Sequence, residues 1–395
     1  MISALVNTPI FLLSFLLVLG VLVFFHELGH YGVAKLFGTD IERFSIGFGK
    51  PIAQWTRKSG EIWSIGRIPL GGYVKFRGDA GGASNPDRDE LAKLKDNLEA
   101  DGKNVSSCFH FKPLYQRVLI VLAGPMANFL LAIIITASLA LSYGTVSFKS
   151  VVASVNSDSP AAAAGIQQGD HFQTMNGDDV REYQQLVGYI AVRSGVPIET
   201  VIDRNGEIIT TTVTPVRSER KDFIGGRNNI GTIGVGLSNQ SVQRVDHNVG
   251  SAVQHGVSDL VLTVKTTGTY IGRIFTGDED GKALGGVARI ATMTGKTAVD
   301  ISQQETTLKQ RARNMIYALL SLGAALSIGL GVANLMPIPA LDGGHLLYYG
   351  YEALAGRPLS EQKQEFGFRI GFAVLLGLFV VLTFNDIGYI RSLFT

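Results

Sequence analysis

Four stretches of the chain stay apolar for long enough to cross a bilayer, and the polar positions gather in the loops between them. The first stretch contains "IFLLSFLLVLGVLVFF". Thr8-Pro9 reads as its helix N-cap and N1, and the helix is expected to run to about Phe37, where Gly38 ends it. The others cover approximately 115–143, 315–336 and 368–390. A bilayer core about 30 Å thick needs about 20 residues of helix, and each stretch suffices. The pattern predicts a polytopic α-helical membrane protein with four transmembrane helices. Its segments are a first helix over 1–37, a loop over 38–113, a second helix over 114–143, an outer region over 144–314, a third helix over 315–342, a loop over 343–367 and a fourth helix over 368–390.

The loops carry a different period. Residues 44–77 are rich in aromatics and glycine and read as strands and turns, with a hairpin turn at Lys58-Ser59-Gly60. This hairpin either dips into the bilayer edge or stands free of it. Residues 79–107 are polar and low in aromatics, and predict a solvated helix and loop, partly disordered. The outer region opens with a compact α/β module over 144–222. It contains a strand at 151–155, a short helix started by Ser159-Pro160 and capped by Gly165, and turns at Asn176-Gly177 and Asn205-Gly206. Beyond it, 223–314 is less regular, with a strand-like 230–237 and a helical 249–275.

Charge adds an orientation. Arg43, Lys50, Arg57, Lys58, Arg67, Lys75 and Arg77 follow the first helix closely. By the positive-inside rule, 38–113 and 343–367 are cytoplasmic and 144–314 lies outside, in a bacterial inner membrane. The N-terminus has no basic leader segment or small-residue cleavage site and reads as a membrane anchor rather than a signal peptide. Charged residues make up 17% of the chain, against roughly 25% in soluble domains. The net charge of +2 speaks against a nucleic-acid partner. The single cysteine, Cys108, excludes an intramolecular disulfide and a cysteine-built metal site.

The candidate chemistry interrupts the first apolar stretch at "FFHELGH". His26 and His30 stand four apart, on one helix face. That is the spacing of two zinc ligands in H-E-x-x-H, with Glu27 beside the metal to activate water. Ionisable side chains in a span cost about 2.5–3.5 kcal/mol each on insertion scales and need a partner, which a cation supplies. The bland alternative is a histidine pair hydrogen-bonded to neighbouring helices. Catalytic zinc takes three protein ligands and keeps one position open. The best third candidate is Asp342 in "NLMPIPALDGGH", expected at the end of the third helix; His345 is the runner-up. Pro337 and Pro339 break that helix, leaving backbone free to pair with an extended substrate. Asn334 could donate to an oxyanion, or simply bind two helices together. "GPMAN" (124–128) reads first as close helix packing and second as lining of the site.

Together, HExxH, "AGPMANF" and "NLMPIPALDGG" resemble the site-2 protease family of intramembrane zinc metalloproteases. "IPLGGYVKF", "KPLYQRVLIVLAGPMANF", "SPAAAAGIQQGDHFQTMNG" and "GFAVLLGLFVVLTFNDI" extend the likeness over most of the chain. The resemblance implies Zn2+ at His26, His30 and Asp342, Glu27 as the base, and an extracytoplasmic PDZ domain over roughly 145–220. It implies a membrane-associated β-loop whose edge strand, including Gly71 and Gly72, receives the substrate, and a role for Asn334, Pro337 and Pro339 in holding the unwound helix. The substrates implied are single-span membrane proteins already cut once outside the membrane, such as anti-sigma factors or signal-peptide remnants. A peptide C-terminus is a possible PDZ ligand, and the lipid bilayer is the remaining partner. One departure is "GGVARIA" (285–291), with Val287 and Arg289 where relatives carry Pro and Gly. Two other classes compete: a scaffold would not need Glu27, and a metal transporter should place more ligands along the other spans.

Overall fold

The computed structural model describes residues 2–77, 88–100, 105–222, 224–238 and 242–393. Four helices have the length and composition of membrane spans: Pro9–Leu36, Leu114–Tyr143, Leu308–Asn334 and Gln362–Ser392. The chain divides into two compact units.

The first unit comprises residues 1–133 and 294–380. Helix α1 (Ile2–Leu36) starts earlier than Thr8-Pro9 and carries Pro9 inside it. One proline removes one backbone bond, which does not end a helix supported on both sides. Gly38 does end it, with φ +66°. Strands β1 (Ile41–Thr56) and β2 (Ile62–Phe76) form the expected hairpin. It folds back on itself: Phe44 lies opposite both Val74 and Trp63, and Ile46 opposite both Gly72 and Ile65. Gly47 and Gly49, at φ +84° and +83°, mark the bend. The hairpin packs on α1. Phe44 is buried, stacks on Trp63 with ring centroids 4.4 Å apart, and meets Phe24 and Tyr31 edge-on. Tyr31 donates to Glu61 at 2.7 Å, and Lys35 pairs with the same carboxylate. Helix α2 (Arg88–Ala100) occupies part of the polar excursion; residues 78–87 and 101–104 lie outside the described residues.

Helix α3 (Leu114–Tyr143) follows. The third span, α8 below, begins at Leu308, not near 315, with Thr307 accepting from the Gln310 N–H as its cap. Hydropathy marks the apolar part of a helix, and this one extends its charged first turns beyond it. It ends at Asn334. Asp342 therefore does not end the third span: it opens a separate helix, α9 below, after a sharp link. A Cβ on Gly343 would stand 2.3 Å from the Met336 carbonyl, and one on Gly344 2.3 Å from that of Ile338. Only glycine permits the link to fold so tightly onto the start of that helix.

The second unit comprises residues 134–293 and 381–395. It runs β3 (Thr145–Phe148), β4 (Val152–Val155), α4 (Pro160–Ala163), β5 (His171–Met175), β6 (Asp178–Asp179), α5 (Tyr183–Ala191), β7 (Ile198–Arg204) and β8 (Glu207–Val213). Then come β9 (Val216–Lys221), β10 (Arg227–Thr232), β11 (Val235–Leu237), β12 (Val242–Val245) and α6 (Val249–Phe275). Four strands form a sheet in the order β6-β5-β7-β8 around a core that includes Phe172, Met175, Leu186, Ile198 and Ile202. Ser159 caps α4, as its Ser-Pro pair predicted, and Asn176-Gly177 and Asn205-Gly206 turn with positive φ at both residues. The expected strand over 230–237 is two strands, interrupted at Gly234 with φ +79°. Because β11 pairs with β4 and Ile233 belongs to the core, this module reaches past 222, where the sequence placed its end. The chain closes with α7 (Val287–Ser302), α8 (Leu308–Asn334), α9 (Asp342–Ala355) and α10 (Glu361–Ser392).

Candidate active site

The site is built where α1, α3 and the start of α9 meet within the first unit. His26 and His30 project from one face of α1, their rings edge-on with centroids 4.8 Å apart. Their Nε2 atoms lie 3.3 Å from each other. Asp342 Oδ2 comes within 3.4 Å of His26 Nε2 and 3.6 Å of His30 Nε2. It is buried and has no hydrogen-bond partner. Among the described residues, these three form the group whose donor atoms all converge within 4.8 Å. Ligand atoms about 2.0–2.1 Å from a tetrahedral ion stand roughly 3.3 Å apart, so the spacing fits a small divalent cation. A hydrogen-bonded histidine pair would not leave a buried carboxylate oxygen without a donor.

Helix α3 orients the rings from behind. His30 Nδ1 donates to the Ile120 carbonyl at 2.9 Å, which leaves Nε2 with its lone pair. His26 Nδ1 meets the Asn128 amide at 3.1 Å, and Asn128 is fully buried. Turned with its oxygen to the ring, that amide accepts the Nδ1 proton and gives His26 the same tautomer. Ser327 of α8 donates to the Asn128 carbonyl at 2.8 Å, fastening this turn of α3. The approach depends on Gly124, where a Cβ would stand 2.2 Å from His30 Nε2 and 2.9 Å from His26 Cε1. Gly29 does the same from the other side, 2.2 Å from the Ala123 carbonyl.

Glu27 is 7% exposed, beside the histidines. Gly72 of the hairpin lies against it: a Cβ there would stand 2.7 Å from Glu27 Cγ and 3.0 Å from Val23. The absence of a side chain at Gly72 thus lets β2 pass close over Glu27. Gly71, at φ +127°, faces the Phe48 ring instead. Asn334 closes α8, and Pro337 and Pro339 lie in the link before Asp342. Pro339 is received by α10 at Gly371, where a Cβ would come 3.0 Å from the proline nitrogen. His345 lies outside the three-donor group, its ring edge-on to Tyr348.

The model of peptidase family M50 matches residues 14–378, a range that contains every one of these side chains. The chain belongs to peptidase family M50. It is similar to metalloprotease MmpA of Caulobacter vibrioides, with 39% identity over 98% of this chain and 99% of that protein. It is also similar to zinc metalloprotease RasP of Geobacillus kaustophilus, with 31% identity over 95% of this chain and 97% of that protein. An M50 member is a zinc-dependent metalloprotease of the site-2 type, and this chain is one, in agreement with the reading of its motifs. With four membrane-span helices it is a multi-pass membrane protein.

Two groups were under-read in the sequence. Asn128 belongs to a motif read first as packing and only second as lining of the site; the stronger signal was an amide, costly in a span, one helix away from a histidine pair. Gly367 and Gly371 of α10, four apart, receive Tyr348 and the 339–340 link. Their spacing carried the signal, but not the partner.

Proposed function

We propose that the protein cleaves transmembrane segments of single-span membrane proteins after a first cut outside the membrane, in regulated intramembrane proteolysis. Its metal ligands are His26, His30 and Asp342. The convergence of these three donors, two of them inside an apolar span, with one carboxylate oxygen lacking any donor, carries this reading. Zinc held there supplies a Lewis acid that acidifies water and polarises the scissile carbonyl. Glu27 takes the proton from the attacking water and delivers it to the leaving amine nitrogen. Asn128 and the Ile120 carbonyl hold the imidazoles in the required tautomer. The substrate helix must unwind first, because a helix hides its peptide bonds. The β1–β2 hairpin at Gly71-Gly72 and the 334–339 segment take the extended strand, with Asn334 donating to the oxyanion. The α/β module that opens at 144 and takes in β11 is read as a PDZ domain outside the inner membrane, excluding bulky ectodomains or holding a newly made C-terminus. Residues 38–113 and 343–367 face the cytoplasm, from the basic residues after the first span.

The test is a cleavage assay of ectodomain-trimmed single-span substrates with wild type and Glu27→Gln. Gln keeps the size and removes the basicity, and general-base assistance is typically worth a factor of 10²–10⁴. Cleavage should fall by at least the lower factor while bound zinc stays, with the cut at the depth of His26. An unchanged rate would sink the mechanism, and absence of cleavage by either protein would favour a scaffold.

A further inference from the structure

Helix α9 is fastened at both ends to membrane-spanning helices. At its start, Asp342 reaches His26 and His30, inside the span Pro9–Leu36. Toward its end, Glu352 forms a two-point pair with Arg117, at 3.1 and 2.5 Å. Arg117 belongs to the first turn of the span Leu114–Tyr143, and its guanidinium also lies 5.0 Å from the Tyr349 ring centroid. Fourteen helical residues cover roughly 21 Å. A helix of that length, held at one end by groups in the C-terminal half of one span and at the other by the first turn of a second, stands beside the membrane ends of both.

Its faces are unequally used. Tyr349 and Leu346 pack on the cluster around Tyr31 and Phe44, Gly343 and Gly344 take the link from α8, and Tyr348 meets α10 at Gly367. The remaining face carries Leu347, Tyr351 and Leu354, spaced by four and three residues, which is one side of a helix. They are 52%, 39% and 91% exposed. The helix carries two ionisable carboxylates, Asp342 and Glu352, and both point away from this stripe to the partners above. Leucine and tyrosine on a charge-poor face are the composition of a helix at a membrane interface.

We propose that α9 lies in the headgroup region of the bilayer, in the leaflet that α1 reaches with its C-terminal half, with Leu347, Tyr351 and Leu354 inserted among lipid chains. Residues 342–355 are then not part of an aqueous loop. Asp342 sits on the first turn of this helix, so lipid contact helps hold the helix that bears it.

The experiment uses the full chain in vesicles of phosphatidylethanolamine and phosphatidylglycerol. Leu347→Cys, Tyr351→Cys and Leu354→Cys, each in a Cys108→Ser background, receive a nitroxide label. Collision with oxygen, which concentrates in lipid, is compared with collision with a water-soluble nickel chelate. Leu17→Cys in the first span and Lys95→Cys on α2 calibrate the two extremes, both being exposed on their helices. All three α9 labels should favour oxygen, at a depth shallower than position 17. Nickel collision at the level of position 95 would place the stripe in water and overturn the proposal. Low collision with both reagents would mean that protein covers the stripe, and would overturn it equally. Labels at three positions guard against one variant that fails to fold. The measurement needs no catalysis, so its outcome is separate from that of the cleavage assay.

Discussion

Asp170 and Asp342 both turn a carboxylate oxygen into the protein, and they are treated in opposite ways. In the α/β module, Arg204 donates to both Asp170 oxygens, at 2.7 and 2.8 Å, and the Gln167 N–H adds a third bond at 2.8 Å. Every lone pair that matters has a donor, as structural burial of a charge requires. Asp342 has two histidine nitrogens before one oxygen and no donor on it. What sets Asp342 apart is that its unpartnered oxygen stands before two imidazole nitrogens rather than before a guanidinium, an arrangement open to a cation.

The comparison can be broken most severely at the site. Asp342→Asn should lose most bound zinc, measured by metal analysis of purified protein, with the exchange protection of β5 and β7 unchanged. Retained full zinc would move the third ligand elsewhere, His345 being the next to test. Asp170→Asn is the mirror image. It removes the charge that Arg204 and the Gln167 N–H hold, and leaves a partly exposed guanidinium that water can solvate, so the module is weakened without a buried charge being stranded. Amide exchange in β5, β7 and β8 should accelerate accordingly while zinc stays at the wild-type level.

The pair also sharpens under acid. Burial pushes the Asp170 carboxyl up, but the Arg204 bonds and the Gln167 N–H outweigh it and hold it below the ordinary carboxylate value. A group whose value is lower in the folded than in the unfolded chain stabilises fully above the unfolded value, about 3.9, and loses that stabilisation as pH falls through the folded one. Wild-type exchange protection in these strands should therefore decline below about pH 4, and Asp170→Asn should remove that part of the dependence. The smallest effect expected is at the second layer of the site. Asn128→Ala removes the group that orients His26, and such partners are typically worth 10–100-fold in metal affinity. Competition with a chelator measures it; an unchanged affinity would reduce Asn128 to packing.

Much of the molecule was legible along the chain because its signals are local. Span length needs only an apolar run, Asn176-Gly177 and Asn205-Gly206 need only their own positive φ, and His26 and His30 share a face by helical period alone. Even Asp342 could be picked out, though on the premise of a helix end that the structure replaces with a helix start. The ends of α1, α8 and α10 were misjudged where the apolar run and the helix differ in extent, because backbone hydrogen bonding continues past the hydrocarbon edge.

What the sequence by itself determined is therefore the set of elements and the type of chemistry: four spans, a hairpin, an α/β module and a helix face that presents two histidines four apart. Only the tertiary structure decided that Asp342 and not His345 converges on the histidine pair, that Asn128 and Ile120 stand behind the rings, and that Gly72 passes over Glu27. Local periodicity says which way a side chain leaves its own element. It says nothing about which element arrives opposite, and that was settled by close packing at positions without a side chain: Gly29 and Gly124 between α1 and α3, and Gly343 and Gly344 beneath the link that turns Asp342 back toward the histidines.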